Sequence, residues 1–472
     1  PGQTLTLGLS MKMDPHWHTY WKNPGDSGME TRIQWQLPEG FEAGPMQWPV
    51  PTELGFLGFD ECMVSKDPKW GPYIDWVRER FPEHYVTALA MTNGHSGEQR
   101  PQREVDFRQG ATEEQHRLKA EAYERVMGQR IRASEWGRMY TSPLPAEAHD
   151  TAFITGQGIA FIERCALDCP FFCHISYVDP HDPYDPPEPY ASMFSPDDMP
   201  DALPPEWEEQ GPACLAAVQE NYLHYGEIAR NPAATRKLRA LFHGQLKFMD
   251  DQVGQIVDAL HCHGLWDNTI IVFSTDHGEH LGDHGMIAKG MPHYDAGIRC
   301  PLIVAGGAVG SAGVSDRLSC TLDLFPTFCE WAGVSPEERP PLEGRSFANP
   351  GDGGNGWSDI SVSLLSFDTL ITAEGWRLTR YSDRADGQMF NLVEDPDEQT
   401  NLYHDSRHQM KKMELMERLV QARTRPRTIP VYRNLATKNG HRFGVKGARF
   451  PNLKLQPSPW VTDISRPEWS GE

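Results

Sequence analysis

The chain has 472 residues, a length that predicts roughly two to three domains, and 39% of its residues are hydrophobic, which allows a sizeable core. Its formal net charge of −22 argues against nucleic-acid binding and against an anionic membrane surface, because the protein's field repels polyanions. No apolar run reaches the roughly 18 residues that a spanning helix needs, so we expect no membrane span. Nine cysteines, an odd number in a long chain, predict no disulfide framework.

Residues 1–53 differ in sequence pattern from the rest of the chain. Alternating apolar and polar residues at 5–9 and 31–37, separated by Asn-Pro-Gly-Asp and Pro-Glu-Gly turns, predict β-strands. The phrase His-Trp-His-Thr-Tyr-Trp-Lys-Asn-Pro-Gly-Asp-Ser-Gly at 16–28 resembles the amino-terminal immunoglobulin-like domain of bacterial thiol–disulfide interchange reductases. The working cysteine pair of that family lies beyond the matching part. We therefore expect a partial β-sandwich segment here, and a redox role is the weaker alternative.

Helical and strand patterns alternate from residue 54 onward. Apolar residues at helical spacing predict helices at 70–77, 151–163 and 238–260. Short apolar runs bounded by turn residues predict buried strands at 86–91 and 269–273 and further strands at 171–178 and 301–305. Strands that alternate with helices predict the α/β class, with a mostly parallel sheet flanked by helices.

The most informative stretch follows the predicted strand at 269–273. It reads Asp-His-Gly-Glu-His-Leu-Gly-Asp-His-Gly from Asp276, and Lys289 comes four residues after its last glycine. Polar residues just beyond the carboxyl end of a strand lie where an open α/β sheet holds its ligands. The motif resembles the second half of a sulfatase site, and His277, where arylsulfatases commonly have asparagine, favours the phosphonate monoester hydrolases of the alkaline-phosphatase-like superfamily. The resemblance implies that Asp276 and His277 bind a metal and that Lys289 binds the substrate anion.

A second motif lies just past the predicted strand at 171–178. His181 stands in Asp-Pro-His-Asp-Pro-Tyr, between prolines that restrict the backbone. This phrase resembles Pro-His-x-Pro-Tyr of sulfatases, which implies that His181 contacts the substrate oxygens. With Lys289 it would stabilise the charge that develops at sulfur or phosphorus, as a catalytic and substrate-binding pair. The implied divalent metal, Ca²⁺ or Mn²⁺, would neutralise an ester oxygen. By the same resemblance, His280, Asp283 and His284 belong to the loop scaffold.

The chain also departs from the family pattern. The family nucleophile is a formylglycine made from the cysteine of Cys-x-Pro-Ser-Arg or Cys-x-Ala-x-Arg, and none of the nine cysteines stands in that context. The early Asp-Asp pair that supplies further metal ligands, and the first active-site lysine, are missing too. The resemblance covers about residues 54–402. Two ligands alone should bind a metal weakly, because hard cations need roughly six oxygen-type ligands.

The carboxy-terminal part begins with a Gly/Asn/Asp-rich linker after Phe347. The segments 376–381 and 389–402 resemble the carboxy-terminal antiparallel strands of sulfatases. We therefore expect three parts. They are a partial immunoglobulin-like segment at 1–53, an incomplete sulfatase-like α/β core at 54–347, and a small antiparallel α+β subdomain with a tail at 348–472.

Two functions remain open from the sequence. One is sulfatase-type, metal-dependent hydrolysis of a sulfate or phosphonate/phosphate ester of a small anionic molecule. The alternative is a catalytically inactive, sulfatase-derived fragment or fusion that binds an oxyanion or a metal at most. No signal peptide is recognised within the chain, so an exported and a cytoplasmic location both stay open, as does the oligomeric state.

Overall fold

The computed structural model describes residues 63, 72–92, 117, 121, 139–165, 170–207, 228–289, 293–309, 313–337, 339, 342–348, 356–364, 367–381 and 385–424, with short strands at 435–436 and 442–443. The chain divides into two compact units, one up to residue 312 and the other from residue 313. The predicted immunoglobulin-like segment at 1–53 lies outside the described residues. The predicted domain boundaries stay predictions.

The first unit is mostly helical where it is described. Its helices are α1 (Pro72–Arg80), α2 (Tyr85–Thr92), α3 (Asp150–Cys165), α4 (Pro232–Cys262) and the single turn α5 (Asp295–Ile298). Its strands are β1 (Ile271–Ser274) and β2 (Leu302–Ala305), which pair antiparallel with Ile271 opposite Ala305. The described strands thus do not show the mostly parallel sheet, which stays a prediction.

The second unit contains the helix α6 (Leu324–Trp331), a four-stranded sheet and the helix α7 (Gln409–Thr424). The sheet is antiparallel throughout, in the order β3 (Asp359–Leu364), β4 (Phe367–Thr372), β5 (Trp376–Tyr381) and β6 (Gly387–Asn391). Leu415 and Leu419 of α7 pack on Leu370 and Leu378 of the sheet. Two-residue strands β7 (Leu435–Ala436) and β8 (Arg442–Phe443) also pair. The antiparallel α+β character predicted for the carboxy-terminal part is present in this unit.

The 31-residue helix α4 organises the first unit. Asn231 caps its start by accepting hydrogen bonds from the backbone N–H groups of Ala233 (3.1 Å) and Ala234 (3.3 Å), and Pro232 occupies the first turn. The chain leaves the helix at Gly264, whose φ of +66° suits glycine. The fully buried Leu238 and the buried Leu241 form one core cluster with Tyr184 and Ile287. This cluster places the segments that contain Tyr184 and Ile287 against the same helix.

Two strand predictions differ from the structure. Residues 86–91 form most of the helix α2, because a short apolar run is compatible with either element and this one contains two alanines, the best helix former. Within the described residues, no strand ladder is assigned to 171–178. One face of this segment is nevertheless covered. Ile175 lies so close to α3 at Gly158 that a β-carbon there would be 2.5 Å from the Ile175 Cδ1. The helix predictions at 70–77, 151–163 and 238–260 and the strand predictions at 269–273 and 301–305 are confirmed.

Within the described residues, no helix combines the length and the apolar character that crossing a bilayer requires.

Candidate active site

Asp276 and His277 lie in the loop that directly follows β1. The Asp276 side chain is 84% exposed and the His277 side chain 31% exposed. The His277 Nδ1 is 2.8 Å from the Gly278 carbonyl oxygen, which can only accept, so Nδ1 donates and holds the proton. The lone pair of Nε2 is then available, 3.6 Å from the Asp276 Oδ1. This is the arrangement in which a histidine ligates a metal, with the other ring nitrogen oriented by a backbone acceptor.

The pair accounts for only part of a metal site. Two oxygen or nitrogen ligands of one cation, each about 2.3–2.6 Å from it, lie roughly 3–4 Å apart, which matches the spacing of this pair. Among the described residues, however, no group of three or more His, Cys, Asp and Glu side chains is arranged to hold a metal. A hard cation takes six or more ligands, so the described residues do not by themselves fit Ca²⁺ or Mn²⁺. We therefore assign no chemical step to a metal, and the predicted cation stays a prediction.

Two glycines fix the course of this loop. The Gly278 N–H donates to the Gly297 carbonyl (3.0 Å), and a β-carbon at Gly278 would lie 2.0 Å from the Ala296 carbonyl oxygen. A β-carbon at Gly297 would lie 2.9 Å from the His280 Nε2. Backbone therefore packs directly on backbone between the loop and α5. No other residue type fits at Gly278 without a rearrangement.

The three residues predicted to be scaffold make structural contacts. The Asp283 carboxylate pairs with Arg239 of α4 (2.6 Å). The His284 ring stacks on Tyr294 at 3.9 Å between centroids, and its Nδ1 lies 3.2 Å from the Glu206 carboxylate. The fully buried ring of His280 meets Tyr294 edge-on. These contacts hold the loop against α4 and against residues 201–207.

His181 lies in a loop between residue 178 and residue 187, and its side chain is 31% exposed. Its Nδ1 is 2.8 Å from the Asp182 carbonyl oxygen and 3.1 Å from the Asp182 Oδ1. Both atoms accept, so Nδ1 donates, as in His277. Behind the loop, the buried Asp179 accepts a hydrogen bond from Thr151 of α3 (2.5 Å) and one from Gln245 of α4 (3.3 Å). The loop is thereby tied to both helices.

Glu279 lies inside the motif, and its carboxylate accepts a hydrogen bond from the Leu281 N–H (3.4 Å). Burial raises the pKa of Glu279 to about 7, although hydrogen bonding and the positive charge of Lys289 oppose the rise. The sequence analysis did not single out Glu279. The signal available was its place inside the motif, two residues after His277.

Comparisons with known proteins identify the family of this chain. Residues 92–334, more than half of the chain, match the family model Sulfatase. The chain belongs to the sulfatase family. Residues 1–64 match a second model, Thiol:disulfide interchange protein DsbD, N-terminal. Both resemblances stated from the sequence are confirmed, and the second extends somewhat beyond the predicted residue 53.

Several sulfatase relatives are similar over part of their length. The chain is 29% identical over 269 residues to an arylsulfatase of Clostridium perfringens (strain 13 / Type A), with 55% of each chain covered. It is 30% identical over 209 residues to the multifunctional alkaline phosphatase superfamily protein PehA of Trinickia caryophylli, with 41% of this chain and 40% of that protein covered. The chain thus spans about half the length, or less, of these curated relatives.

The fold is similar to that of a solved enzyme. The structure of the phosphonate monoester hydrolase of Agrobacterium radiobacter superposes with a TM-score of 0.53 at 21% identity, over 70% of this chain and 72% of that one. This likeness supports the α/β class of the fold. His181, Lys289, Asp276 and His277 all lie within the part of the chain that matches the sulfatase family model.

Proposed function

We propose that this chain hydrolyses the ester bond of a small sulfate or phosphonate/phosphate monoester, with His181 and Lys289 holding the anion. Hydrolysis breaks the bond between sulfur or phosphorus and the ester oxygen, forms a bond to the oxygen of water, and releases the alcohol with one proton of that water. One observation carries the proposal. The loops of His181 and Lys289, identified independently by motif, pack on the same helix α4, because Tyr184 and Ile287 share a core cluster with Leu238.

The orientation of His181 supports this role. Its Nδ1 lies 2.8 Å from the Asp182 carbonyl oxygen and 3.1 Å from the Asp182 Oδ1, and these contacts hold the ring in the loop that follows residue 178. A histidine held there would contact the oxygens of a bound anion. Lys289 is exposed and adds a positive charge beside Glu279. Together the two side chains would stabilise the negative charge that develops on the ester oxygens.

The proposal also includes the metal and the fold that the resemblance to the family implies. Asp276 and His277 would supply two ligands of a divalent cation, Ca²⁺ or Mn²⁺. Further ligands and the nucleophile would be needed, since no cysteine stands in the context that yields formylglycine. A mostly parallel sheet of the alkaline-phosphatase-like type belongs to the same proposal.

The competing function is a non-catalytic sulfatase-derived protein that binds an oxyanion. The incomplete ligand set at Asp276 and His277 and the missing nucleophile context favour it. The same anion pocket would then bind sulfate or phosphate without turnover.

Release of nitrophenol distinguishes the two functions. The full chain, the variant Asp276→Ala and the control variant Asp250→Ala are each incubated with nitrophenyl sulfate or a nitrophenyl phenylphosphonate. Mn²⁺ or Ca²⁺ is added to every assay. Asp250 is exposed on α4 and pairs with Lys247. We expect turnover that falls at least about tenfold in Asp276→Ala and stays unchanged in Asp250→Ala. Background rates in all three proteins would overturn the hydrolase and leave the oxyanion-binding protein.

A further inference from the structure

We propose that Gln245 is a positioning residue that fixes His181 against the bound anion. The inference rests on the anion pocket of the proposed function and adds a residue that neither motif contains. Gln245 lies on α4, far along the chain from His181, and its side chain is fully buried. It does not itself contact the anion. It acts by holding both sides of the turn that carries His181.

The first support is a pair of hydrogen bonds on either side of His181. The Gln245 Nε2 is 3.3 Å from the Asp179 Oδ1 and 3.1 Å from the Pro183 carbonyl oxygen. Asp179 precedes His181 by two residues, and Pro183 follows it by two. The Pro183 carbonyl can only accept, so the amide nitrogen faces it, and the two hydrogens of that nitrogen serve both acceptors. One side chain thus ties both ends of the turn at 179–183 to α4.

The second support is the close packing of α4 on the chain that follows this turn. A β-carbon at Gly244, the residue before Gln245, would lie 2.6 Å from the Tyr190 carbonyl oxygen and 3.2 Å from the Pro186 Cγ. Glycine therefore lets the helix backbone approach residues 186–190 directly. The Gln245 amide extends from a backbone whose distance to the loop is already set by this contact.

The third support is the polarity of Gln245 in apolar surroundings. One turn before it on α4 is Leu241, and one turn after it are Phe248 and Met249, all of them buried. Helix residues three and four apart share a face, so Gln245 interrupts an apolar stripe. A buried amide loses its hydration and needs hydrogen-bond partners in return, and Gln245 finds them on the turn of His181. A methionine of similar length would fill the same space and make neither bond.

The experiment measures the affinity of the full chain for inorganic phosphate by calorimetry, at a temperature below the onset of unfolding. The variant Gln245→Met keeps the length of the side chain and removes both donated hydrogen bonds. The matched control is Gln252→Met, because Gln252 is also buried on α4, about two turns further on. We expect Gln245→Met to weaken phosphate binding about fivefold and Gln252→Met to leave it unchanged. Thermal unfolding of both variants measures any loss of stability separately.

Two double variants separate positioning from a general loosening of the fold. In a chain that carries His181→Ala, Gln245→Met should cause little further loss of affinity, because the effects of residues that act through one contact are not additive. In a chain that carries Lys289→Ala, the loss caused by Gln245→Met should persist, because Lys289 lies in the other loop.

Unchanged phosphate binding in Gln245→Met would overturn the inference and leave the anion pocket standing. An equal loss in Gln252→Met would do the same. So would a loss from Gln245→Met that is as large with His181→Ala as with Lys289→Ala, because Gln245 would then stabilise the fold without positioning His181. If the wild-type chain binds no phosphate, the anion pocket of the proposed function is wrong and the inference is wrong with it.

Discussion

At the scale of single residues, His181 and His277 share one hydrogen-bond arrangement. Each directs its Nδ1 proton to the carbonyl oxygen of the following residue, Asp182 in one case and Gly278 in the other. Each ring is therefore oriented by the backbone. For His277 the acceptor is a backbone carbonyl, which cannot change protonation, whereas the His181 Nδ1 also lies 3.1 Å from the Asp182 carboxylate. Two side chains of different proposed roles are thus prepared by the same local geometry.

The six described cysteines should differ strongly in reactivity. Burial, and then the neighbouring Asp323 carboxylate, raise the pKa of the Cys320 thiol to about 11. The thiolate is the form that reacts, and at pH 8 roughly one Cys320 in a thousand is ionised. We expect iodoacetamide to label the exposed Cys262 first and Cys320 very slowly, with Cys320 labelling faster as the pH rises towards 11. Peptide mass mapping over a time course measures both.

The denatured chain serves as the control for this labelling, because all its cysteines are then solvated and should react at similar rates. Native Cys320 that is alkylated as fast as Cys262 at pH 8 would contradict the prediction.

The residues of the candidate site were partly predictable. Asp276, His277, His181 and Lys289 stand out in the sequence because their residue types carry chemistry and their motifs are specific. Gly297 does not stand out in this way, because it acts through a backbone contact with Gly278, which is distant along the chain. Only the folded arrangement shows which N–H its carbonyl meets.

At the scale of elements, α4 is the support of the site. It contacts both loops, through the Gln245 bond to Asp179 and the Arg239 pair with Asp283. The helix α4 was predictable from the sequence because its amphipathic spacing continues over many turns. The helix α2 was not predictable, because its eight residues are too few for the period to distinguish a helix from a buried strand.

We expect Asn231→Ala to lower the free energy of unfolding of the first unit by about 1 kcal/mol. The variant leaves the N–H groups of Ala233 and Ala234 without their capping acceptor. Urea unfolding followed by circular dichroism measures the change. Asn231→Asp is the matched control, since its carboxylate accepts the same bonds and should retain the stability. An unchanged midpoint in Asn231→Ala would show that the cap contributes nothing.

At the scale of the whole molecule, the net charge of −22 opposes an anionic substrate. The opposing charges are spread over the surface, whereas Lys289 and His181 would act at contact distance. Raising the ionic strength from about 10 to 150 mM shortens the Debye length from about 30 Å to about 8 Å, which screens distant charges first. We therefore expect phosphate binding to strengthen about twofold over this range.

Calorimetric titrations at several NaCl concentrations test this expectation. Choline chloride in place of NaCl is the control that separates screening from binding of sodium ions. If the affinity for phosphate falls steadily as the salt concentration rises, the prediction is wrong. The attraction between the pocket and phosphate then outweighs the repulsion by the net charge even at long range.

The sequence predicted the family and the class of fold, and the comparisons confirm both. It did not predict the pairing of β1 with β2, because strand pairing depends on which segments meet in space. Site residues carried by sharp motifs were predictable, whereas the contacts between motifs were not.

The close approach of Gly278 to Gly297 limits how this loop can evolve or be engineered. A library that randomises either position would consist mainly of variants that fail to fold, because any side chain at Gly278 collides with the Ala296 carbonyl. Substitutions at the exposed Asp276 or Lys289 meet solvent instead, so they change the chemistry of the loop without disturbing its packing. The loop therefore accepts new side chains at its exposed positions and excludes them at Gly278, where it packs on the backbone of α5.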